Sequence, residues 1–321
     1  MERIVSADPL TIERAARWIR EGRLVAFPTE TVYGLGANAL DADAVARIFT
    51  AKGRPATNPL IVHIADIDAL DRIAQPTEDA RRLAHAFWPG PLTLVLPKMP
   101  GVPDIVTAGG ETVAVRIPSH PIALALLRAA NVPIAAPSAN RSESISPTCA
   151  EHVARSLGPE LKMILDGGPC DVGLESTVLD LTCDPPAILR PGMVSAEEIA
   201  AVLGKRVATG RHDGDGVAKS PGQMLRHYAP NSPLRLSENV WCEIPETGQI
   251  SILAYTLPPD SIRPDTHIHF LPELPNPYAA NLYSALHALD ADRPDLILVQ
   301  QVPDTEEWTA VRDRLRRASA S

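Results

Sequence analysis

Cationic side chains in this sequence stand where they could meet an anion. Lys52 and Arg54 flank a glycine in KGRP, and Arg116 and Arg190 follow the apolar strings TVAV and IL. Lysine supplies a point charge and arginine a planar fork of donors, and a buried arginine is costly unless it meets an anion. Alternatively, cations at the carboxyl end of a helix can simply complement the negative end of the helix dipole. The pattern indicates a phosphate or carboxylate site, with that plainer interpretation left open.

Hydroxyl and amide groups follow other apolar runs. FPTETVYGLGANA (27–39) offers Thr29, Glu30 and Thr31 beside two glycines, which we interpret as a backbone cradle, and IAAPSAN (134–140) ends in Ser138 and Asn140. Ligands of α/β proteins bind where strands end. Each string alone could equally be an ordinary turn. Together with the cations they indicate a pocket for an anionic ligand, such as a nucleotide plus an amino acid.

Familiar catalytic signatures are missing from the sequence. It has no GxxxxGK[ST] phosphate loop, no strand-linked GxGxxG, no nucleophile elbow and no HExxH. Asp166, Glu175 and Asp180 among glycines could suggest metal ligation, yet their spacing matches no calcium loop. His63 in an apolar strand is, taken alone, more typical of a core histidine. Covalent and zinc-dependent hydrolysis are therefore unsupported.

A sheet is needed to position these strings. Apolar periodicity predicts helices over 11–22, with Thr11 as a possible cap, within 41–55, and over 77–87, 121–130, 148–157 and 195–204. Strands are predicted over 23–28, 59–65, 92–97, 112–118, 132–136, 161–166 and 176–182. This alternation predicts an α/β domain over residues 1–208.

The rest of the chain divides into a linker and a second domain. Residues 209–233 lose periodicity and collect Gly, Pro, Ser and Asp, yet SPGQMLRHYAP within them is too bulky for a plain spacer, which predicts a lid over the pocket. The strands GQISILAYT and DLILVQQ, with helical patterns over 278–290 and 305–318, predict a small α/β domain over residues 234–321.

Composition and charge limit the function classes. The 321 residues, 45% of them apolar, suit two domains, and the sequence has no apolar run of about 20 residues and no signal-peptide pattern. We therefore expect a cytoplasmic protein without membrane contact, and four scattered cysteines predict free thiols. Residues 237–321 hold 6 basic and 13 acidic side chains, which disfavours nucleic acid contact there.

Eight strings in this order resemble the threonylcarbamoyl-AMP synthase family in its longer, two-domain form. They are PTETVYGLGANA, KGRP with NPLIVH, WPGPLT, VAVRIPSHP, PSAN with SPT, GLEST, LRPG and SPGQMLRHYAP. The resemblance implies a YrdC-like twisted-sheet α/β domain, a linker and a small Rossmann-like α/β domain. It implies a reaction in which L-threonine, bicarbonate and ATP, with Mg²⁺, give threonylcarbamoyl-AMP and pyrophosphate. The product would pass to a separate transferase complex that modifies tRNA beside the anticodon, with direct tRNA contact by this chain only weakly expected.

The resemblance also implies roles for individual residues. The threonine side would comprise Thr29, His63, Arg116, Ala136 and Ser176. The nucleotide side would comprise Lys52, Arg54, Asn58, Thr112, Ser138, Asn140, Ser146, Arg190 and Tyr228, with Lys52 and Arg54 as the catalytic pair. The resemblance names no metal ligand.

Two other functions stay open from the sequence. Related domains use a carbamoyl-adenylate for carbamoyl transfer, although in larger chains with additional modules. A double-stranded RNA binding module would need a concave basic patch around Lys52, Arg54 and Arg141.

Overall fold

The computed structural model describes residues 3–209, 227–258, 263 and 266–320. Within them the helices are α1 (Pro9–Arg20), α2 (Ala42–Lys52), α3 (Glu78–Phe87), α4 (Pro121–Ala130), α5 (Ala150–Leu157), α6 (Ala196–Leu203), α7 (Pro275–Ala291) and α8 (Thr309–Ala318). Short 3₁₀ turns cover Ile67–Arg72, Gly158–Glu160 and Glu306–Trp308.

The strands form two sheets. They are β1 (Ile4–Ser6), β2 (Val25–Phe27), β3 (Gly34–Asn38), β4 (Ile61–His63), β5 (Leu92–Pro97), β6 (Thr112–Arg116), β7 (Ile134–Ala135), β8 (Ile164–Asp166), β9 (Thr177–Asp180), β10 (Ala187–Arg190), β11 (Ala208–Thr209), β12 (Leu234–Ser237), β13 (Ile250–Ala254), β14 (His267–Phe270) and β15 (Leu296–Gln300). The first sheet has the order β1-β8-β2-β3-β7-β4-β6-β5-β9-β10-β11 and mixes parallel with antiparallel pairs. The second has the order β12-β15-β13-β14 and is parallel throughout.

Helices cover both faces of the first sheet, which explains why its strands are apolar on both sides. Ala26 of β2 faces a core that includes α2, α3, α5 and α6, while its neighbours Val25 and Phe27 face a core built with α1 and α4. The alternation follows from the two-residue period of a strand. The strands are thereby held between two packed layers, and their ends can present polar groups at fixed positions.

The second sheet packs its helices against the first domain. Tyr278 and Leu282 of α7 and Val311 of α8 lie in one core with Val32 and Leu174, which belong to loops of the first domain. At Gly173, with φ +72°, an added Cβ would lie 2.5 Å from the Ala280 carbonyl oxygen, so α7 rests directly on this loop. The second domain therefore packs against loops that connect strands of the first sheet.

The predicted α/β fold class is confirmed, and the helices predicted before residue 205 are found at the expected places. One expectation about local structure is corrected. GLGAN is the strand β3, paired between β2 and β7, rather than part of a turn or loop. An added Cβ at Gly36 would lie 2.8 Å from Phe27 Cε1 and 2.9 Å from Ile134 Cγ2, so packing requires glycine there.

Further details differ from the expectations. Asp8 caps α1, with the Thr11 amide donating to Asp8 Oδ1 at 2.9 Å, so Thr11 lies inside the helix. The sequence pattern missed β1, β11, β12 and β14, which are short or exposed. Most of the predicted linker, residues 210–226, lies outside the described residues, and the domain limits stay predictions.

The remaining composition-based expectations concern cysteines and membranes. Cys149, Cys170, Cys183 and Cys242 are free thiols, as predicted. In the described part of the chain, no helix combines the length and the apolar character needed to cross a membrane.

Candidate active site

A pocket lies where the ends of the first sheet meet the second domain. It holds about 530 Å³ of empty space, part of which is open solvent at its mouth. Its walls are formed by Thr29, Thr31, Val32, Gly34, Arg54, Ile61, His63, Arg116, Ala136, Pro137, Ser138, Glu175, Ser176, Arg190, His227 and Tyr228.

One group of polar residues surrounds Arg116, the last residue of β6. Its Nη2 lies 2.7 Å from Glu30 Oε1, its Nη1 donates to Thr31 Oγ1 at 2.9 Å, and its Nε donates to the Gly90 carbonyl at 3.1 Å. Burial alone would raise the pKa of the Glu30 carboxyl, but the Arg116 guanidinium lowers it below its usual value. The ion pair holds the guanidinium in a fixed orientation at the pocket wall.

His63 stands beside Arg116, since the β4–β6 register pairs the two residues. Burial, together with the Arg116 charge, lowers the pKa of the imidazole to about 3. The ring is therefore neutral at physiological pH and can accept or donate a hydrogen bond without adding charge.

The loop before β3 presents a pair of hydroxyls to the same part of the pocket. Thr29 Oγ1 lies 2.8 Å from Thr31 Oγ1 and donates to the Val32 carbonyl at 2.6 Å. The amides of Thr31 and Val32 each approach Thr29 Oγ1 at 3.2 Å. Thr29 therefore closes a tight turn, which fixes both hydroxyls beside the Arg116 guanidinium.

A second group of cations contains Arg54 and Arg190. Arg54 donates from Nε to the Asn58 carbonyl at 3.1 Å and from Nη2 to the Pro59 carbonyl at 2.8 Å. Arg190 donates from Nε to the Ser176 carbonyl and from Nη2 to Ser176 Oγ, each at 3.1 Å. Burial lowers the pKa of Arg54 to about 10, so it keeps its charge at neutral pH. Neither guanidinium makes an ion pair with a carboxylate of the described residues, which favours an anionic ligand.

The turn that supports Arg54 depends on one glycine. Gly53 ends α2 with φ +61°, in the left-handed region, and thereby separates the directions of Lys52 and Arg54. Lys52 points into the protein, where Nζ donates to the carbonyls of Ser138 and Asn140 and lies 3.4 Å from Asn140 Oδ1. The ammonium is thus directly behind the Ser138–Asn140 loop rather than in the pocket lining.

Glu175 is the carboxylate in the lining, and it is held from three directions. Ser146 Oγ donates to Oε1 at 2.5 Å, Tyr283 donates its hydroxyl to Oε2 at 3.0 Å, and Arg314 Nε donates to Oε2 at 2.8 Å. Burial alone would raise the pKa of Glu175, but the charges of Arg314 and Arg190 lower it to about 2. The carboxylate therefore stays ionised at neutral pH.

His227 and Tyr228 cover the pocket beside these cations. Tyr228 adopts φ +64°, an uncommon value for a bulky residue, and the Arg314 guanidinium lies 5.1 Å from its ring centroid. The His227 amide donates to the Arg317 carbonyl at 3.3 Å. The segment of the predicted lid that the structure describes is thus fastened to α8.

Nine of the residues that the sequence resemblance singled out come together in this lining. They are Thr29, Arg54, His63, Arg116, Ala136, Ser138, Ser176, Arg190 and Tyr228. Lys52, Asn58, Asn140 and Ser146 are buried outside the lining and bond to it or to one another.

Two residues lie apart from the group to which the resemblance assigned them, and their roles stay predictions. Thr112 begins β6, four residues before Arg116, so it lies roughly 13 Å along the strand and outside the lining. Ser176, assigned to the threonine side, bonds to Arg190 of the other group. Sequence reasoning noted the carboxylate of Glu175 only as a doubtful metal ligand and placed His227 in the predicted lid without a contact of its own. The strings GLEST and HYAP, which contain Glu175 and His227, were the sequence signals that could have indicated a place for both residues in the pocket wall.

The structure does not support a protein-built metal centre or a basic RNA-binding patch. In the described ranges no three His, Cys, Asp or Glu side chains converge, and the Glu175 oxygens already have three protein partners. The RNA-binding alternative would need a concave basic patch around Lys52, Arg54 and Arg141, but Lys52 is only 2% and Arg54 only 7% exposed, so two of these three cations are not presented at the surface.

Fold and pocket together define a class of protein. An α/β sheet whose loops hold two separate groups of buried cations, neutral hydroxyls and a covering aromatic residue is suited to a transferase that joins two small anionic substrates.

Comparisons with known proteins identify the family. A family model described as telomere recombination matches residues 17–192, and one described as the threonylcarbamoyl-AMP synthase C-terminal domain matches residues 194–320. The threonylcarbamoyl-AMP synthase of Pyrococcus abyssi is 46% identical over 323 residues, covering 96% of this chain and 94% of the relative. The Bacillus subtilis enzyme of that name is 45% identical over 331 residues, covering 98% and 94%.

A solved structure agrees with these sequence matches. The crystal structure of Pyrococcus abyssi Sua5 complexed with L-threonine superposes with a TM-score of 0.89 at 44% identity, covering 98% of this chain and 96% of that one. The chain therefore belongs to the threonylcarbamoyl-AMP synthase family, in its two-domain form. This confirms the expected enzyme class, an ATP-using nucleotidyltransferase.

Proposed function

We propose that this chain joins L-threonine, bicarbonate and ATP into threonylcarbamoyl-AMP and releases pyrophosphate. The observation that carries the proposal is the pair of buried cation groups in one pocket, around Arg116 and around Arg54 with Arg190. A second support is the relative crystallised with L-threonine, which shares this fold along the whole chain.

The reaction has two steps. The threonine amine attacks the bicarbonate carbon and water leaves, which gives a carbamate. A carbamate oxygen then attacks the α-phosphorus of ATP, and the bond to the bridging oxygen breaks as pyrophosphate departs. Neither step needs a protein nucleophile, so the protein contributes positioning and stabilisation of negative charge.

The Arg116 group forms the threonine site in this proposal. The Arg116 guanidinium binds the substrate carboxylate, and Glu30 keeps it oriented from the other side. The hydroxyls of Thr29 and Thr31 and the neutral His63 ring offer hydrogen bonds to the amine and side chain. A charged imidazole there would repel the ammonium group of free threonine.

The second cation group receives the triphosphate. Arg54 and Arg190 are fixed by carbonyl groups and need no rearrangement to meet phosphate oxygens. Ser138 lies in the lining, and Lys52 Nζ holds the Ser138–Asn140 loop from behind by donating to its carbonyls, which makes Lys52 a positioning residue. Tyr228 closes over this part of the pocket and keeps water from the labile carbamate.

Magnesium enters as a companion of the ATP substrate. It keeps several waters and binds readily through substrate phosphates. Since Glu175 is already occupied by protein partners, phosphate oxygens and water are its ligands in this proposal, and no step depends on a protein-held metal.

The product then serves tRNA modification through a separate transferase complex. The acidic second domain makes direct tRNA binding by this chain a minor expectation.

The test is pyrophosphate release by the purified protein with ATP and Mg²⁺, with threonine or bicarbonate omitted in turn. We expect release only with all substrates present, and a product of the mass of threonylcarbamoyl-AMP. Arg54→Gln should abolish release, whereas the exposed Arg128→Gln serves as the matched control. Release that ignores threonine but requires a carbamoyl donor would instead favour the carbamoyltransferase alternative.

A further inference from the structure

A buried arginine of the second domain contacts the pocket wall from behind. Arg314 lies on α8 and its side chain is 0% exposed, yet its carboxylate partner Glu175 belongs to the first domain. Besides the 2.8 Å contact of Nε with Oε2, Nη2 donates to the Glu175 backbone carbonyl at 3.4 Å. Tyr283 of α7 adds a hydroxyl to the same carboxylate. Two elements of the second domain thus converge on one acidic group.

The negative charge of Glu175 is unfavourable in a phosphate site. It lies in the pocket lining with Arg54 and Arg190, where an uncompensated negative charge would repel a triphosphate. Its pKa of about 2 means that it does not escape this conflict by protonation. Of the two arginines in the lining, Arg190 is the one whose charge, together with that of Arg314, lowers the pKa of Glu175.

Arg314 stands behind Glu175, outside the lining, and is itself held in place. Its Nη1 lies 2.8 Å from Asp313 Oδ2, and its guanidinium faces the ring of Tyr228. Asp313 in turn pairs with Arg317 at 2.9 Å. The position of the guanidinium is therefore set by α8 and by the covering residue, not by the ligand.

We propose that Arg314 is a positioning residue for ATP: it neutralises Glu175 from the second domain and so leaves Arg190 available to the phosphates. This inference rests on the proposed function and names a task for the second domain in it. Arg314 touches no substrate in this scheme. It acts through Glu175 and Arg190, and the threonine site around Arg116 does not depend on it.

The test compares charge removal with charge rescue. R314M removes the guanidinium and keeps much of the side chain's length, E175Q removes the opposing charge, and the double variant E175Q/R314M removes both. Arg316→Met, on the same helix with a 79% exposed side chain, is the matched control. The KM values for ATP and for threonine come from pyrophosphate release, and the Kd of ATP comes from calorimetry.

We expect R314M to raise the KM and Kd of ATP about tenfold or more, with the threonine KM changed less than about twofold. The double variant should return both ATP values to within about threefold of the unsubstituted protein. Equal effects on both substrates, or a double variant no better than R314M, would overturn the inference, because a merely structural contact gives no charge rescue.

Folding and function are separated by two further measurements. Should R314M fail to fold by circular dichroism, Arg314→Lys carries the test: an ATP Kd within about threefold of the unsubstituted value supports the inference, and a tenfold rise contradicts it. Calorimetry needs no turnover, so a protein that binds ATP without forming product refutes the proposed function alone. A protein that binds no ATP refutes both.

Discussion

His152 of α5 and His287 of α7 stack across the boundary between the two domains, with ring centroids 3.8 Å apart and planes 24° from parallel. The Thr148 amide donates to His152 Nδ1 at 3.3 Å, and His287 Nε2 lies 3.2 Å from the Ser146 carbonyl. Because His152 Nδ1 accepts this hydrogen bond, the His152 ring is neutral in the folded protein. The contact joins α7 to the loop that also carries Ser146, the partner of Glu175.

The first prediction concerns pH. Burial, with help from His287 and Arg155, lowers the pKa of His152 to about 3, and burial lowers that of His287 to about 4, with Arg155 and Asp290 nearby. The unfolded chain therefore binds more protons than the folded one below pH 6.5. We expect the contribution of these two neutral rings to the free energy of unfolding to be fully present above pH 6.5. The free energy of unfolding should then fall as the pH drops toward 4.

His287→Phe keeps an aromatic ring in the stack but cannot titrate. Its slope of unfolding free energy against pH between 6.5 and 4 should be smaller by up to one proton, about 1.4 kcal/mol per pH unit. Urea unfolding followed by fluorescence at several pH values measures this, with the exposed His85→Phe as the control. An unchanged slope in His287→Phe would show that this ring does not contribute.

The second prediction separates the two substrate sites. Arg116→Met should raise the threonine KM by about tenfold or more while the ATP KM changes little, because the guanidinium lies among Thr31, His63 and Glu30. It also leaves Glu30 buried without its cation, so the double variant with Glu30→Gln should be the more stable of the two. Arg81→Met, which removes an exposed ion pair with Asp71, is the control. Parallel losses for both substrates would argue against a separate threonine site.

The third prediction concerns Lys52. Lys52→Met should lower kcat/KM for ATP by about a hundredfold, because the loop carrying Ser138 and Asn140 loses the ammonium that binds its carbonyls. Lys52→Arg should fail to restore activity, since a larger planar group strains the packing around a side chain that is only 2% exposed. Steady-state pyrophosphate release measures both, with the exposed Lys162→Met as the control. Normal turnover in a folded Lys52→Met protein would refute this role.

The fourth prediction tests why the glycines of GLGAN are needed. Gly36→Ala should destabilise the protein by about 1–3 kcal/mol, because its Cβ would press on Phe27 and Ile134. Gly101→Ala is the matched control, since nothing lies within 4 Å of an added Cβ there and its φ is not positive. Thermal unfolding of the two variants gives the comparison. A stable Gly36→Ala protein that had lost ATP binding would instead favour the ligand-cradle interpretation.

Local patterns predicted much of the fold. The helices α2 to α6 each bury one stripe, so their apolar residues recur at helical spacing. The strands β4, β5 and β6 are buried on both faces, so they are continuous apolar runs. Both patterns can be seen in short stretches of sequence. The strand β3 was not predicted, because its glycines and alanine give no apolar period. Its pairing with β2 and β7 depends on close packing in the folded sheet.

The sequence by itself indicated the chemistry of the candidate site, because cations and hydroxyls stand in short strings next to apolar runs. Only the tertiary structure decided which of them face the ligand. Lys52 and Arg54, two residues apart, diverge because Gly53 adopts a left-handed backbone. Glu175 meets Arg314 across 139 residues, and only folding brings these opposite charges out of water together. Charge compensation depends on distance in space and on burial, and neither is encoded in sequence spacing.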